Sequence, residues 1–306
     1  MTSPYTILID QAPAYELLIS LFAYSRKTHH KGMDAGTPWV REVRKKLSPA
    51  FAAQLDDGWS GSMFHGFDFL IHQCPGERTA PQFLQWVSSL SVGDLFEKLA
   101  PFVDVPADIG AQRDLGVELL GKWDAEYFQT VDPAVFEELA RDAERKRALL
   151  GTMPEMDVIE LATNGVRYEV TPELRNVLLV PQYHLRPIST MTRYGSSMSV
   201  WYGIDLPTPS DGSPAPALLR LTKSLGEESR LRILRFIGGG TRSFTEVVQA
   251  TGLSMSTVHH HLMALRGAGL LTARGEGNVT YYSLRTDVVA RLGTELLAYF
   301  LADDRR

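Results

Sequence analysis

The segment SFTEVVQATGLSMSTVHHHLMALRGAGLL places two short helical patterns around one glycine. Ser243 and Glu246 have the spacing of a capping box, in which each residue satisfies a backbone amide near the other, so a helix is expected over residues 244–251. Gly252 suits the left-handed position that ends a helix, and Ser254 can cap the helix that follows. Helix, glycine turn and helix at this spacing predict a helix-turn-helix.

The second of these helices contains three consecutive histidines. At 100° per residue, the predicted buried stripe consists of Met255, Val258, Leu262 and Leu265. The opposite face carries Ser256, Thr257, His260 and Met263, with His259 on its flank. Consecutive residues diverge around a helix, so the three imidazoles cannot converge on one metal ion. The pattern instead predicts an exposed face whose hydroxyl and imidazole groups contact bases or phosphates.

After this helix, LLTARGEGNVTYYSL has two β-prone arms around the turn residues 275–278. This arrangement predicts a β-hairpin next to the helix-turn-helix.

Three separated segments, GEESRLRILRFI, the helix-turn-helix and the hairpin with Tyr281-Tyr282, resemble the ArsR-type winged helix-turn-helix repressors. The resemblance covers about residues 217–301. It implies a homodimer formed by the first and last helices, about 217–225 and 286–301. It also implies that the helix at 254–267 enters successive major grooves of a pseudo-palindromic double-stranded operator, with Arg274 near the backbone or minor groove. The last helix separately shows an apolar stripe of Val289, Leu292, Leu296 and Phe300.

Metal-sensing members of that family carry a Cys-x-Cys pair before the recognition helix, or metal ligands on the last helix. The corresponding segments here are SFTEVVQAT and DVVARLGTELLAYF, which supply neither a thiolate nor an imidazole. We therefore expect no metal and no cofactor. His65, Asp68 and His72 share one face of a predicted helix near Cys74, but this pattern is more typical of an ordinary helix face than of a metal site.

The region before the winged helix predicts a separate domain. Residues 1–205 show mostly helical periodicity followed by β-rich segments at 165–203, and the proline-rich residues 206–216 form a linker to a DNA-binding domain at 217–306. The expected fold class is α+β and mostly helical, with a small antiparallel sheet in the first domain. Residues 216–306 contain 12 basic and 8 acidic residues, a net charge of +4 within a chain of net charge −5. This charge distribution favours a nucleic-acid module attached to an acidic domain.

These features predict a dimeric transcriptional regulator, most simply a repressor, whose first domain binds a small organic effector. The candidate pocket residues are Trp59, Phe64, His65 and Phe67. Two alternatives remain: the first domain is an enzyme, although no catalytic constellation is evident, or it only assembles the dimer or binds a partner protein. One cysteine fits a reducing cytoplasm, and no apolar run approaches the roughly 20 residues that span a bilayer.

Overall fold

The computed structural model describes residues 5–56, 66–208 and 211–302. The helices are, in chain order, α1 (Pro13–Ser25), α2 (Gly36–Lys46), α3 (Pro49–Asp56), α4 (Phe67–Gln73), α5 (Ala80–Ser89), α6 (Val92–Leu99), α7 (Ile109–Glu126), α8 (Pro133–Arg147), α9 (Glu155–Ala162), α10 (Pro216–Leu225), α11 (Glu228–Gly238), α12 (Phe244–Thr251), α13 (Met255–Gly267) and α14 (Thr286–Phe300). The strands are β1 (Thr6–Ile9), β2 (Val166–Tyr168), β3 (Asn176–Gln182), β4 (Thr190–Tyr194), β5 (Ser197–Gly203), β6 (Arg242–Ser243), β7 (Leu271–Glu276) and β8 (Val279–Leu284). The predicted class, mostly helical α+β, is confirmed.

The chain forms two compact units. Unit 1 comprises residues 1–152 and 171–204, and unit 2 comprises residues 153–170 and 205–306. Residues 153–170 therefore pack with the winged helix, although the sequence pattern places them in the first domain. Unit 2 is discontinuous along the chain.

The sheet of unit 1 has the order β1-β3-β5-β4. β3 runs parallel to both β1 and β5, and only β4 and β5 form an antiparallel hairpin. The predicted antiparallel sheet is therefore a mixed sheet, with an N-terminal strand that the sequence pattern did not reveal. Six of the seven residues of β3 are buried, as expected for a central parallel strand covered on both faces.

The helix-turn-helix of unit 2 forms as its local signals predict. The Ser243 hydroxyl accepts from the Glu246 amide at 3.3 Å, and the Ser243 amide donates to the Glu246 carboxylate at 2.8 Å. Gly252 has a φ of +67°, the left-handed conformation that ends α12. The Ser254 hydroxyl then accepts from the Thr257 amide at 3.2 Å and caps α13.

Residues 153–170, here called the strap, add a strand to the winged-helix sheet, whose order is β2-β7-β8-β6. β2 pairs parallel with β7, and the Ala273 amide donates to the Gly165 carbonyl at 2.7 Å. At the far end, the Gly277 amide donates to the Glu169 carboxylate at 3.2 Å. The strap thereby satisfies backbone groups on the outer edge of β7 that would otherwise face water.

None of the helices in the described ranges is long and apolar enough to cross a membrane.

Candidate nucleic-acid interface

The inner side of α13 anchors the helix in the core of unit 2. Val258, Leu262 and Leu265 are completely buried. Met255 was expected to extend this stripe, and that prediction is wrong because its side chain is 65% exposed. Met255 is the first residue of α13, and Leu253, just before the helix, packs against the core.

The outer side of α13 presents the predicted polar residues. Ser256, His259 and His260 are exposed, and Thr257 is half-buried. The Ser254 hydroxyl lies 3.0 Å from the Ser256 hydroxyl and 2.8 Å from that of Thr257. These hydroxyls cluster at the first turn of α13, where the helix dipole is positive and favours an anion such as a phosphate.

The third histidine of the run has a different environment. His261 is buried, and its Nδ1 lies 3.1 Å from the Glu227 carboxylate at the start of α11. Burial lowers the pKa of His261 below its usual value, although Glu227 acts in the opposite direction. The three imidazoles thus separate into one core group and two surface groups, as the helical spacing predicts.

The hairpin β7–β8 forms the wing, and its turn consists of Gly277 and Asn278, so residues 275 and 276 belong to β7. Arg274 lies on β7 with 53% of its side chain exposed, and its Nη2 lies 2.6 Å from the Glu276 carboxylate. In the adjacent strand β2, Arg167 occupies the paired position.

The strap changes the charge around the wing. The Arg167 guanidinium pairs with the carboxylates of Asp157 at 2.9 Å and of Glu160. Residues 153–170 contain four acidic residues and one basic residue, a net charge of −3 beside the +4 of residues 216–306. The apparent positive charge of the C-terminal segment is therefore largely offset within unit 2. Sequence reasoning missed this because β2 is only three residues long and pairs with a strand far along the chain.

A second surface of unit 2 is apolar. Large apolar side chains on α10, α11 and α14 are more than a third exposed: Leu219, Leu231, Val289, Leu297 and Phe300. Of the predicted stripe, Leu292 and Leu296 are half-buried, and Leu292 packs against the core of the unit. Of these three helices, α10 and α14 contact each other, and their exposed apolar side chains can form a protein–protein contact.

The proposed effector residues have different outcomes. Trp59, Phe64 and His65 lie outside the described residues. Phe67 is completely buried in the core of unit 1, where its ring packs edge-to-face on Phe83 with centroids 6.2 Å apart. Phe67 therefore belongs to the core of unit 1, and its role in effector binding stays a prediction.

The helix face considered for metal binding has other contacts. His72 Nδ1 lies 2.8 Å from the Asp10 carboxylate, and burial raises the pKa of the Cys74 thiol. Across residues 5–56, 66–208 and 211–302, no group of three or more His, Cys, Asp or Glu side chains is arranged to hold a metal ion.

One chain of hydrogen bonds in unit 1 has the residue types of a proton relay. The Glu16 carboxylate lies 2.5 Å from His184 Nδ1, and His184 Nε2 lies 2.7 Å from the Tyr127 hydroxyl. The same carboxylate accepts from the backbone amides of Tyr183 and His184. Glu16 is 1% exposed and His184 4% exposed. Both groups are buried, and these hydrogen bonds form a polar network that joins α1 to the end of β3.

Known helix-turn-helix proteins match the C-terminal part of this chain. A helix-turn-helix domain model matches residues 225–274. The chain is 38% identical over 88 residues to the HTH-type transcriptional regulator CmtR of Mycobacterium bovis. The aligned region covers 29% of this chain and 75% of that protein. It is 36% identical over 85 residues to the probable mercury resistance operon repressor of Streptomyces lividans, covering 28% and 66% of the two chains.

A third relative is the HTH-type transcriptional regulator Rv0324 of Mycobacterium tuberculosis, 38% identical over 73 residues. The chain spans 32% of the length of that protein, and the matched residues are 24% of this chain. All three similarities cover less than a third of this chain, and the helix-turn-helix model falls within unit 2. The chain belongs to the ArsR family of helix-turn-helix transcriptional regulators.

Proposed function

We propose that this protein is a homodimeric transcriptional regulator, acting as a repressor, that binds a pseudo-palindromic DNA operator. The observation that carries the proposal is the two-sided character of α13. Three apolar residues fix one side in the core, while hydroxyl and imidazole groups face outward on the other. A helix held in this way can enter a major groove without losing its own packing. The exposed apolar surface of α10 and α14 provides the contact for a second copy.

The contacts follow from the positions of the side chains. Ser256 and Thr257, at the first turn of α13, contact phosphates or base edges, and His259 and His260 contact base edges. Arg274 exchanges its ion pair with Glu276 for a backbone phosphate or the minor groove. This exchange costs little, because both partners of the pair are about half exposed and solvent screens their attraction.

The operator can be selected from a random-sequence duplex library with the full chain, and the selected sites should contain two related half-sites. His260→Ala should then lower the affinity for the selected operator by about 1–3 kcal/mol and leave binding to random DNA unchanged. His30→Ala is the control, because it removes the same type of side chain from unit 1, which is not proposed to contact DNA. The His30 imidazole is half-buried and lies 2.8 Å from a backbone carbonyl. Equal loss of operator and random binding would contradict a base contact by His260.

We further propose that unit 1 is an input domain for a small organic effector. Its chain leaves at residue 152, forms the strap on β7, and returns at residue 171. A change in unit 1 that pulls on either connection would shift β7 and, with it, Arg274. A ligand that prefers one arrangement of the strap would therefore change the affinity for DNA.

One experiment distinguishes an input domain from the two alternatives, an enzyme and a scaffold for assembly. The full chain is incubated with a metabolite library, and binding is followed by tryptophan fluorescence while products are followed by mass spectrometry. A bound compound that alters operator affinity supports the input domain. Turnover would favour an enzyme, and binding of neither kind would favour a scaffold for assembly.

A further inference from the structure

Unit 1 contains a cavity of about 110 Å³ that opens to solvent. It lies between α1, α4 and the hairpin β4–β5. Its lining residues are Leu18, Ile19, Phe22, Asp68, Thr190, Thr192, Tyr194 and Trp201. Thr192 is exposed and Thr190 half-buried, so the β4 side forms the mouth, whereas Trp201 is only 6% exposed.

One charged side chain lines this mostly apolar cavity. Asp68 is 3% exposed, and its carboxylate accepts from the Phe69 amide at 3.0 Å. The hydroxyls of Ser199 and Tyr194 lie beside it and favour the ionised form, but burial dominates and raises the pKa of Asp68 to about 6. Throughout the part of the chain that the structure describes, no lysine, arginine or histidine forms an ion pair with Asp68.

The other titratable groups that face Asp68 do not supply a positive charge. Tyr15 on α1 and Tyr194 on β4 both have a pKa well above the usual value for a phenol, mainly because of burial. Both are neutral at physiological pH, and the Tyr15 hydroxyl already donates to the Asp10 carboxylate at 2.7 Å. A buried carboxylate in this setting is stabilised strongly by a cation that enters the cavity.

We propose that this cavity binds a small organic cation, an amine whose ammonium group pairs with Asp68 and whose apolar part packs against Phe22 and Trp201. The charge-assisted hydrogen bond to a buried carboxylate is stronger than one between neutral groups. The Trp201 indole also attracts a cation, most strongly where water is excluded, whereas the Phe22 ring already has the Arg26 guanidinium over it, 5.2 Å from the ring centroid. An anion would meet the Asp68 charge in a poorly solvated site and is disfavoured.

The size of the cavity limits the ligand. A closed apolar cavity of about 150 Å³ holds one benzene molecule. This cavity is smaller, but its open mouth at Thr192 allows part of a ligand to extend into solvent. A small aromatic or branched aliphatic amine, with part of its length in the open mouth, therefore fits the site.

The proposal that this cavity binds an amine is argued from unit 1 alone, whereas any effect of the amine on DNA binding rests on the proposed function. To test the two claims separately, amine binding is first measured without DNA. Isothermal titration calorimetry of the full chain at pH 7.5 compares benzylamine, benzyl alcohol and benzoate, which share a ring and differ in charge. We expect benzylamine to bind at least tenfold more tightly than either of the others.

Asp68→Asn removes the charge with little change of shape and should abolish this preference. Asp124→Asn is the matched control, because Asp124 is also buried but does not line the cavity. A second measurement needs no variant: below pH 6, benzylamine binding to the unaltered protein should release a proton from Asp68. Calorimetry in two buffers of different ionisation enthalpy measures that release. Equal affinity for the three probes, absence of benzylamine binding, or absence of proton release would each overturn the proposal.

The effect of benzylamine on operator affinity is measured in a separate experiment. If benzylamine binds through Asp68 and operator affinity changes, both proposals are supported. If it binds through Asp68 and operator affinity stays constant, the site stands and the input role of unit 1 fails.

Discussion

Gly165 holds the strap close to the wing, and its replacement by alanine tests whether the strap positions β7. Its φ is +111°, a conformation that residues with a side chain rarely adopt. A Cβ at this position would lie 2.6 Å from the carbonyl oxygen of Leu271 and 3.4 Å from the Cα of Thr272. Both contacts are to backbone, so no side-chain rotation relieves them.

The magnitude follows from these two effects. Backbone strain at such a φ costs about 1–3 kcal/mol. To reach an ordinary contact distance, the strap must move away by about 0.8 Å, which stretches the 2.7 Å hydrogen bond from the Ala273 amide to as much as about 3.5 Å and costs about 1 kcal/mol more. We therefore expect Gly165→Ala to weaken docking of the strap by about 3 kcal/mol.

Hydrogen exchange of the Ala273 amide measures this loss directly, and a 3 kcal/mol change corresponds to about a hundredfold faster exchange. Gly151→Ala is the matched control, because Gly151 also has a positive φ, of +80°, but no atom lies within 4 Å of its virtual Cβ. It should leave exchange at Ala273 unchanged. If the two variants give the same exchange at Ala273, close contact at Gly165 does not hold the strap in place.

Three further outcomes are expected. Because the folded-state pKa of Asp68 is about 6 against 3.8 in the unfolded chain, the burial penalty is absent below pH 3.8 and grows as the pH rises through 6. In urea unfolding, Asp68→Asn should therefore stabilise the protein by about 3 kcal/mol at pH 8 and by almost nothing at pH 3.5, and equal stability at pH 8 would contradict the assigned burial. Arg274→Ala should lower the salt slope of DNA binding by about one, unlike Arg232→Ala on the exposed side of α11, and an unchanged slope would remove Arg274 from the phosphate contacts. Zinc, copper or a chelator should leave operator affinity unchanged in retention assays, and metal-dependent release would redirect attention to His65, Asp68, His72 and Cys74.

The helix-turn-helix could be predicted from the sequence because its signals are local. The capping box at Ser243, the left-handed Gly252 and the cap at Ser254 each act within four residues, so each can be recognised from a short segment. The mistake at Met255 is a terminal effect: helical periodicity places it on the inner side, but it is the first residue of α13 and its side chain extends past the core.

The strap and the cavity could not be predicted in the same way. β2 has three residues, and its partner strand begins more than a hundred positions later, so no periodic pattern links them. The cavity combines α1, α4 and β4, and the aromatic residues that the sequence singled out near α4 include Phe67, which belongs to the core. Asp68 is identified as the carboxylate that binds an amine only by the side chains that surround it, and the tertiary structure determines which side chains those are.

The interleaved strand pairings have a consequence for folding during synthesis. β1 cannot pair until β3 has been synthesised, and β2 cannot pair until β7 has been synthesised. The residues of β7 leave the ribosome about a hundred positions after those of β2. At about 5–20 residues per second, β2 spends roughly 5–20 s without its partner. During that time unit 1 can complete its sheet, while the strap remains a short, acidic segment with unpaired backbone groups. The four carboxylates of the strap flank β2, and charge beside an unpaired strand discourages that strand from pairing with a neighbouring chain.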